Sequence, residues 1–415
     1  MRYRDKDEAF KFFLISRATR SIALVFVTLS LPLYMLYLHY QILDIGIIYF
    51  AIIAVNALFS MLLGALGDRV GYKNALIIGE TLPLVGLTLL ASYTNITTVV
   101  IAAALSGVAG VAGGIRGTFS PGSTALIVSN WKNEKRRVDK LAKTIYVGSA
   151  SAILGGLMLY LKGAALGAFG EINSFRILFG VSAFLILISL ISLFFVVEVR
   201  GPKKTTIVMK IGSLKYSFRV IASNVLNGFG IGIALPLLPI FFVLKYGVNT
   251  GEIGAIYTIS YAATALAAYF AIGRIHSKKF SALLTASYTR VLQGLMLLLL
   301  AFSPFFALAS VLFVIRSFVA GFGSPSRSAV NMRGINDQDY GTASSVMGLA
   351  NRLSQTSSGL SGYLMELSLS SPALIGGAMQ MVSGFIYLRL LSPKKRIRKN
   401  AISLPAPASN RREKP

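Results

Sequence analysis

Ionisable side chains that interrupt long apolar stretches are the residues of this sequence that could do chemistry. The acid Glu80 interrupts the third apolar stretch, and four arginines interrupt later ones: Arg116, Arg290, Arg316 and Arg352. If these stretches span a membrane, each central charge costs about 2.5 to 3.5 kcal/mol on insertion scales, which marks it as a functional candidate. A buried carboxylate can carry protons, and a guanidinium binds carboxylate or phosphate through a two-point fork. These five residues are therefore the first candidates for a substrate or proton site.

Each of these charges also has a structural interpretation. Glu80 can neutralise an arginine on a neighbouring helix as an ion pair, and Arg116 lies close enough to a span end to extend its charge to the surface. Arg316 and Arg352 are deeper, and their alternative role is hydrogen bonding between packed helices. For these two arginines we favour a position facing a cavity.

Uncharged polar residues point to the same cavity. The run from Asn351 to Ser358 is polar where the eleventh apolar stretch is expected to span, and such a run is tolerated only where it faces other helices or water. Asn227 precedes Pro236 and Pro239 in the seventh stretch, which predicts a helix that bends beside the cavity.

The elements that carry these residues are predicted to be membrane-spanning helices. The chain has 415 residues, of which 54% are hydrophobic and only 13% are charged, whereas a soluble domain carries about 25% charged residues. Apolar blocks of about 20 residues, the length that crosses a bilayer, continue from one end of the chain to the other. We therefore expect an all-α membrane protein with about twelve transmembrane helices, and no soluble catalytic domain.

The formal net charge of +26 is explained by topology. With the N-terminus in the cytoplasm, Lys and Arg concentrate in the segments before, between and after the spans that would lie inside, and this bias orients membrane proteins. We expect both termini in the cytoplasm, a multi-pass protein of the cell (plasma or inner) membrane, and attraction to anionic lipid headgroups as a by-product. Nucleic-acid binding is not expected from this pattern.

Several chemistries have no residues to support them. The chain has no cysteine and only two histidines, His39 and His276, so we expect no metal site and no thiol chemistry. It carries no phosphate-binding glycine loop with a lysine. We expect neither a cofactor nor an enzymatic activity, and any active transport would draw on an ion gradient.

The chain contains an internal duplication. The segment 44–49 (Asp-Ile-Gly-Ile-Ile-Tyr) returns 208 positions later as 252–257 (Glu-Ile-Gly-Ala-Ile-Tyr), and the Ser-Pro at 120–121 returns 204 positions later at 324–325. Parallel repeats of this kind form two bundles with the substrate site between them near the membrane midplane. We predict a six-helix bundle over 1–199, a linker over 200–216, a second six-helix bundle over 217–392 and a basic tail over 393–415.

The segment after the second apolar stretch has the most specific pattern. Residues 64–73 read Gly-Ala-Leu-Gly-Asp-Arg-Val-Gly-Tyr-Lys. Gly64 allows close approach of two helices, and Gly71 allows a sharp turn between them. Asp68 is a short carboxylate that can cap a helix or pair with an arginine, with Arg69 and Lys73 beside it.

This segment resembles motif A of the major facilitator superfamily, G-x-L-x-D-R-x-G-[RK]-[RK]. The resemblance implies two pseudo-symmetric bundles that move solute by alternating access, with Gly64, Asp68, Arg69, Gly71 and Lys73 in a gate. Tyr72 departs from the pattern, since the family more often has a basic residue there. The second half keeps the glycine and the bases at 273–279 but has lost the acid.

The sequence predicts a secondary transporter of a small solute. The resemblance is closest to the drug and metabolite efflux branches, which implies proton-coupled efflux, and Glu80 is the acid expected to carry the proton. Arginines outnumber acids within the spans, so an organic-anion carrier is the leading alternative. A non-transporting membrane receptor or scaffold is an alternative of another class. We expect a monomer whose partners are the lipid bilayer and a small-molecule substrate.

Overall fold

The computed structural model describes residues 6–108, 120–131, 134–165, 167–199, 210–275, 281–336 and 339–392. The regular structure in these ranges is helical, as the apolar blocks predict. The helices of the first half are α1 (Lys6–Tyr37), α2 (Ile42–Val70), α3 (Tyr72–Ser92), α4 (Ile96–Leu105), α5 (Ser120–Asn130), α6 (Glu134–Ala165) and α7 (Glu171–Phe194).

The second half repeats this arrangement with one additional break. Its helices are α8 (Ile211–Ala234), α9 (Leu238–Tyr246), α10 (Thr250–Ile275), α11 (Ala282–Phe302), α12 (Phe306–Met332), α13 (Tyr340–Gln355), α14 (Gly359–Leu367) and α15 (Ser371–Leu391). Within the described residues, nine helices are long and apolar enough to cross a membrane. The bent pair formed by α8 and α9 raises that number to ten if it is one span.

The predicted bend in the seventh apolar stretch is present. The axes of α8 and α9 differ by 41°, and Pro236 and Pro239 lie at or beside the break. Proline removes a backbone hydrogen bond and clashes with the preceding turn, which explains why the helix is interrupted there.

The second half begins earlier than the sequence suggested. Helix α8 starts at Ile211, inside the range 200–216 that was expected to be linker. Its first turns are amphipathic, with Ser213, Ser217 and Val220 buried and basic residues exposed. An amphipathic helix of this composition is not distinguished from a basic linker by its low apolar content. The backbone N–H of Asn336 donates to the Ser213 hydroxyl at 3.1 Å and fixes this helical start to the end of α12.

The helices alternate in direction, so the bundle has two ends. We call the end where α1 begins and α15 finishes the terminal end, and the opposite end the far end. The two repeated segments, 44–49 and 252–257, lie in the first two turns of α2 and α10. Both helices start at the far end, so the duplication seen in the sequence is also a duplication in space.

The two halves pack tightly against each other at the far end. A Cβ built on Gly254 of α10 would lie 2.7 Å from the carbonyl carbon of Leu159 in α6. A Cβ built on Gly46 of α2 would lie 2.7 Å from the backbone nitrogen of Gly362 in α14. Glycines at these positions therefore let the backbones of opposite halves touch.

A buried lysine joins the halves beside this contact. Lys162 of α6 is 1% exposed. Its ammonium group forms an ion pair with Glu171 of its own half and donates to the Thr250 hydroxyl of α10 at 3.3 Å. It also lies 4.3 Å from the centroid of the Phe175 ring. The charge is thus compensated by an acid, a hydroxyl and an aromatic face.

The same two helices separate toward the terminal end. Ile145 lies on the face of α6 that packs on α10 further along, and Tyr269 lies on the corresponding face of α10. These residues are 62% and 73% exposed, respectively. A face that is buried at one end and exposed at the other shows that the space between α6 and α10 opens toward the terminal end.

Bulk at the far-end contact is expected to push the halves apart. The sequence contains no cysteine, so Thr250→Cys, at a position 2% exposed, introduces a single thiol beside the contact. Adding Gly254→Leu overpacks the interface, at a cost of about 1 to 3 kcal/mol, and maleimide labelling of the thiol is expected to rise.

The control is Gly212→Leu, because a Cβ at Gly212 meets nothing within 4 Å among the described residues. Equal labelling rates for the Gly254→Leu and Gly212→Leu proteins would show that the glycine contact does not hold the far end closed.

Candidate functional site

Glu80 lies in an ion pair inside the first half. Its carboxylate accepts a hydrogen bond from the Arg20 guanidinium of α1 and another from the Ser189 hydroxyl of α7 at 3.2 Å. Ser189 also shares a hydrogen bond with Ser16 of α1, at 2.8 Å. Both charged side chains are buried. The structure therefore places Glu80 in the structural role that the sequence left open, as the counter-charge of an arginine on a neighbouring helix.

Arg290 occupies a polar cluster inside the second half. Its guanidinium donates to the Ser223 carbonyl at 3.3 Å and to the Asn224 side-chain oxygen, both on α8. It lies 3.9 Å from the ring centroid of Tyr387 on α15, and the Tyr387 hydroxyl donates to the Asn331 side chain at 2.8 Å. These contacts anchor Arg290 to its own half by hydrogen bonds and a cation–π interaction.

The two clusters are counterparts of each other. Asn224 follows Arg20 by 204 positions and Arg290 follows Glu80 by 210, close to the offsets of the repeat. The direct contacts of Glu80 join α1, α3 and α7 of the first half, and those of Arg290 join α8, α11 and α15 of the second. Glu80 and Arg290 therefore lie in different bundles, and no described contact joins them.

Arg316 is buried on α12, in the second half, near two tyrosines. It is 6% exposed and lies one helical turn from Phe313, whose ring contacts that of Tyr257 on α10. Tyr257 and Phe313 belong to the same buried cluster as Tyr49 on α2, in the first half. The Arg316 Nε–H and the Tyr49 hydroxyl are buried and have no hydrogen-bond partner among the described residues. This group combines a cation with a phenol from each half.

Further aromatic rings surround this group. The Tyr257 ring centroid is 4.9 Å from that of Phe313 and 6.5 Å from that of Tyr261. Ser260 adds a buried hydroxyl on the same helix, and this hydroxyl lacks a partner in the described part of the chain. The arrangement offers unused hydrogen-bond donors beside apolar ring surface, which is the composition of a small-molecule site.

The two tyrosines were missed as site residues, although the sequence contained the signal. Tyr49 and Tyr257 end the two copies of the repeated segment. Because parallel repeats are related by an axis between the halves, equivalent residues that face this axis approach each other across it. Reading the repeat for its position in space, and not only as proof of duplication, identifies the pair.

The remaining predicted cavity residues lie elsewhere. Asn351 is on α13 against α8, where its side-chain oxygen would be 3.5 Å from a Cβ on Gly228. Asn227 on α8 and Arg352 near the end of α13 are half-buried, and Arg352 has interaction partners. The structure does not join these residues to the Arg316 group by a described contact. Arg116 lies outside the described residues.

The motif after α2 forms a one-residue turn. Gly71 separates α2 from α3 with φ 104°, a conformation that favours glycine, as the sequence predicted. A Cβ on Gly64 would meet nothing within 4 Å in the described structure, and the close helix approach expected there stays a prediction. Arg69 is exposed. The side chain of Asp68 lies outside the described residues.

The cap of α3 comes from an acid that the sequence did not single out. The Glu198 carboxylate accepts hydrogen bonds from the backbone N–H groups of Tyr72, at 2.9 Å, and Lys73, at 3.0 Å. The Lys73 ammonium donates to the Phe194 carbonyl at the end of α7, at 2.8 Å. An acid at a helix N-terminus is stabilising, and here it ties α3 to the segment after α7.

No metal site is evident in the described ranges, where no three His, Cys, Asp or Glu residues are grouped to hold an ion. The groups described around Arg316 are a guanidinium, phenols and aromatic rings.

The sequence matches the family model of the Major Facilitator Superfamily over residues 13–355 and 220–413. Together the two matches cover nearly the whole chain. They include both halves of the repeated architecture described above. No curated protein matches the chain in sequence.

Solved structures share the fold at low sequence identity. The human organic anion transporter MFSD10 (TETRAN) is 14% identical, with a TM-score of 0.67 over 94% of this chain and 100% of that chain. An auto-inhibited POT-family peptide transporter is 12% identical, with a TM-score of 0.73 over 96% and 99%. A D-xylose–proton symporter is 14% identical, with a TM-score of 0.70 over 91% and 96%.

Removing one member of the Arg20–Glu80 pair is expected to destabilise the first half. Glu80→Leu leaves the Arg20 guanidinium buried without its counter-charge, which costs about 3 to 5 kcal/mol. The double variant Arg20→Met with Glu80→Leu removes both charges and is expected to recover most of that loss. Thermal unfolding in detergent measures both. A single variant that melts with the wild-type protein would mean that the ion pair is not structural.

Proposed function

The chain belongs to the major facilitator superfamily, a superfamily of transporters, and we propose that this member carries a small organic anion across its membrane by alternating access. The observation that supports the proposal is the Arg316 guanidinium. It is buried on α12 and forms no ion pair with a carboxylate among the described residues. An anionic substrate supplies the counter-charge that the protein does not.

The burial of the Arg316 charge has an energetic cost. Removing an arginine charge from water is expensive unless a partner compensates it. Arg20 has Glu80 and Lys162 has Glu171 as compensating acids, whereas Arg316 has aromatic and phenolic neighbours. A carboxylate placed on the guanidinium fork relieves this cost with charge-assisted hydrogen bonds. The site is thus complementary to an anion and repels a cation.

The leading prediction from the sequence, efflux of lipophilic drugs or metabolites, needs different partners. A cationic drug requires an acid near its site. The acid expected within the spans, Glu80, lies in the first half and already compensates Arg20. Proton coupling through Glu80 and the direction of transport stay predictions of the sequence, and the anion proposal requires neither.

The proposed topology is the one that the charges of the sequence favour. We take α4 with α5 and α13 with α14 as the remaining two of twelve spans, within bundles over 1–199 and 217–392, with α8 extending the second bundle back to Ile211. Basic residues at the terminal end support a cytoplasmic location for both chain termini. The structure then corresponds to a state open to the cytoplasm, in the cell membrane.

The fold neighbours support transport of small solutes without selecting among them. Their printed names cover an organic anion transporter, a peptide transporter and a sugar symporter. Because one fold serves several substrates, the choice of an anion rests on the residues of this chain.

Neutralising Arg316 is expected to abolish anion transport. The protein is first screened by thermal shift against small organic anions and lipophilic cations, and an anion that stabilises it is then used for uptake into proteoliposomes. Arg316→Gln loses charge-assisted hydrogen bonds worth about 1.5 to 3 kcal/mol, which weakens binding about 10-fold to 150-fold. Arg316→Lys keeps the charge without the fork and is expected to be intermediate.

The control is Arg219→Gln, since Arg219 is exposed near the start of α8. Unchanged anion uptake by Arg316→Gln, or stabilisation by cations alone, would contradict the anion proposal. Binding of an anion with no flux in vesicles that contain only this protein would favour the receptor alternative.

A further inference from the structure

We propose that the site between the halves selects aromatic carboxylates, with the carboxylate on Arg316 and the two repeat-related phenols, and the aromatic ring against Tyr257 and Phe313. The inference rests on the proposed anion transport and goes beyond it by naming the substrate class. It also assigns the tyrosine pair, Tyr49 and Tyr257, as substrate-binding residues.

Three buried hydrogen-bond donors near Tyr257 have no partner in the described structure. Buried polar groups in proteins almost always have partners, so a buried donor without one calls for an explanation. The Arg316 Nε–H, the Tyr49 hydroxyl and the Ser260 hydroxyl are such donors within the described structure. All three groups can donate a hydrogen bond, and a carboxylate offers only acceptors. A carboxylate therefore matches this set better than an alcohol or an amine does.

These donors come from both halves of the protein. Tyr49 belongs to α2 of the first half, and Tyr257 and Arg316 belong to α10 and α12 of the second. A ligand that bridges them contacts both bundles at once. Such a ligand can bias the relative position of the halves, because a ligand shifts a conformational equilibrium only through different contacts in the two states.

Aromatic rings form an apolar surface beside the Arg316 cation. The Tyr257 and Phe313 rings meet edge to face with centroids 4.9 Å apart, and Phe242 extends the cluster at 6.0 Å from Phe313. Edge-to-face packing adds to the free energy of area burial, and a planar aromatic ligand can join such a cluster. An aliphatic acid of the same size gains the burial but not the ring geometry.

The number of guanidinium groups at the site bears on the charge of the ligand. The tyrosines form a symmetric pair, but the cation does not, because the position 204 residues before Arg316 is Ala112. Among the described residues, the group has a phenol from each half and a guanidinium from the second half alone. Arg116, four positions after Ala112, lies outside them. One guanidinium fork matches one carboxylate, which favours a monoanion over a dicarboxylate.

The test uses three matched probes on the detergent-purified full chain. Benzoate has the ring and the charge, cyclohexanecarboxylate has the charge and a similar volume without aromaticity, and benzamide has the ring without the charge. Calorimetric titration gives the dissociation constant of each probe. We expect benzoate to bind tightest, about 3-fold to 10-fold tighter than cyclohexanecarboxylate, from the ring geometry. Benzamide is expected to bind far more weakly than either acid.

Conservative variants test which side chains donate hydrogen bonds to the carboxylate and which ring contacts the ligand. Tyr257→Phe and Tyr49→Phe keep the ring and remove one donor, so each is expected to weaken both acids about 10-fold, since each lost bond went to a charged group. Phe313→Leu is expected to abolish the preference for benzoate while cyclohexanecarboxylate binds as before. Tyr269→Phe and Phe385→Leu, at exposed positions, are the matched controls and should leave all three constants unchanged.

The outcomes separate the two proposals. Equal binding of the two acids, lost in Arg316→Gln, would overturn the aromatic preference and leave anion transport standing. Binding of benzamide as tight as that of benzoate, or no binding of either acid, would overturn both. Full retention of affinity in Tyr49→Phe and Tyr257→Phe would remove the tyrosine pair from the site even if benzoate were preferred.

Discussion

The rest of the structure depends on one constraint, the cost of placing charge where neither water nor a counter-charge compensates it. In the interior between lipid-facing helices this cost separates Arg20, Lys162 and Arg316 into two classes. Arg290 differs from both, because a carbonyl, an amide oxygen and the Tyr387 ring hold it. Arg20 and Lys162 have an acid within reach and serve to hold helices together. Arg316 has hydroxyls and aromatic rings instead. The first class stabilises the protein by itself, and we propose that a ligand completes the second.

The duplication distributes these roles between the halves. Each half carries a buried polar cluster on three corresponding helices, but an ion pair in the first half is replaced by Asn224 and Arg290 in the second. The far-end contact through glycines and Lys162 closes one end of the space between the bundles, and the exposed faces of α6 and α10 open the other. The Arg316 group lies at the junction of these features, where both halves reach it.

Much of the fold was predictable, because lipid imposes a simple pattern. Apolar blocks, the repeat and the bend near Pro236 each have one physical cause, and the structure contains all three. The start of α8 at Ile211 was missed because an amphipathic basic helix and a basic linker look alike in composition. The site was predicted only in part: Arg316 was found as a buried charge, but depth alone grouped it with Glu80 and Arg290. Separating them requires the partners, such as Arg20 and Tyr387, which long-range packing brings together.

The central claim is that an anion completes the Arg316 group between the halves. The most direct measurement is an experimental structure of the protein with para-bromobenzoate, in which the bromine marks the ligand unambiguously. The account predicts the carboxylate on the Arg316 guanidinium, the ring beside Tyr257 and Phe313, and the bromine pointing away from the cation. A ligand bound at Arg290 or on the lipid-facing surface, with the Arg316 group empty, would contradict it.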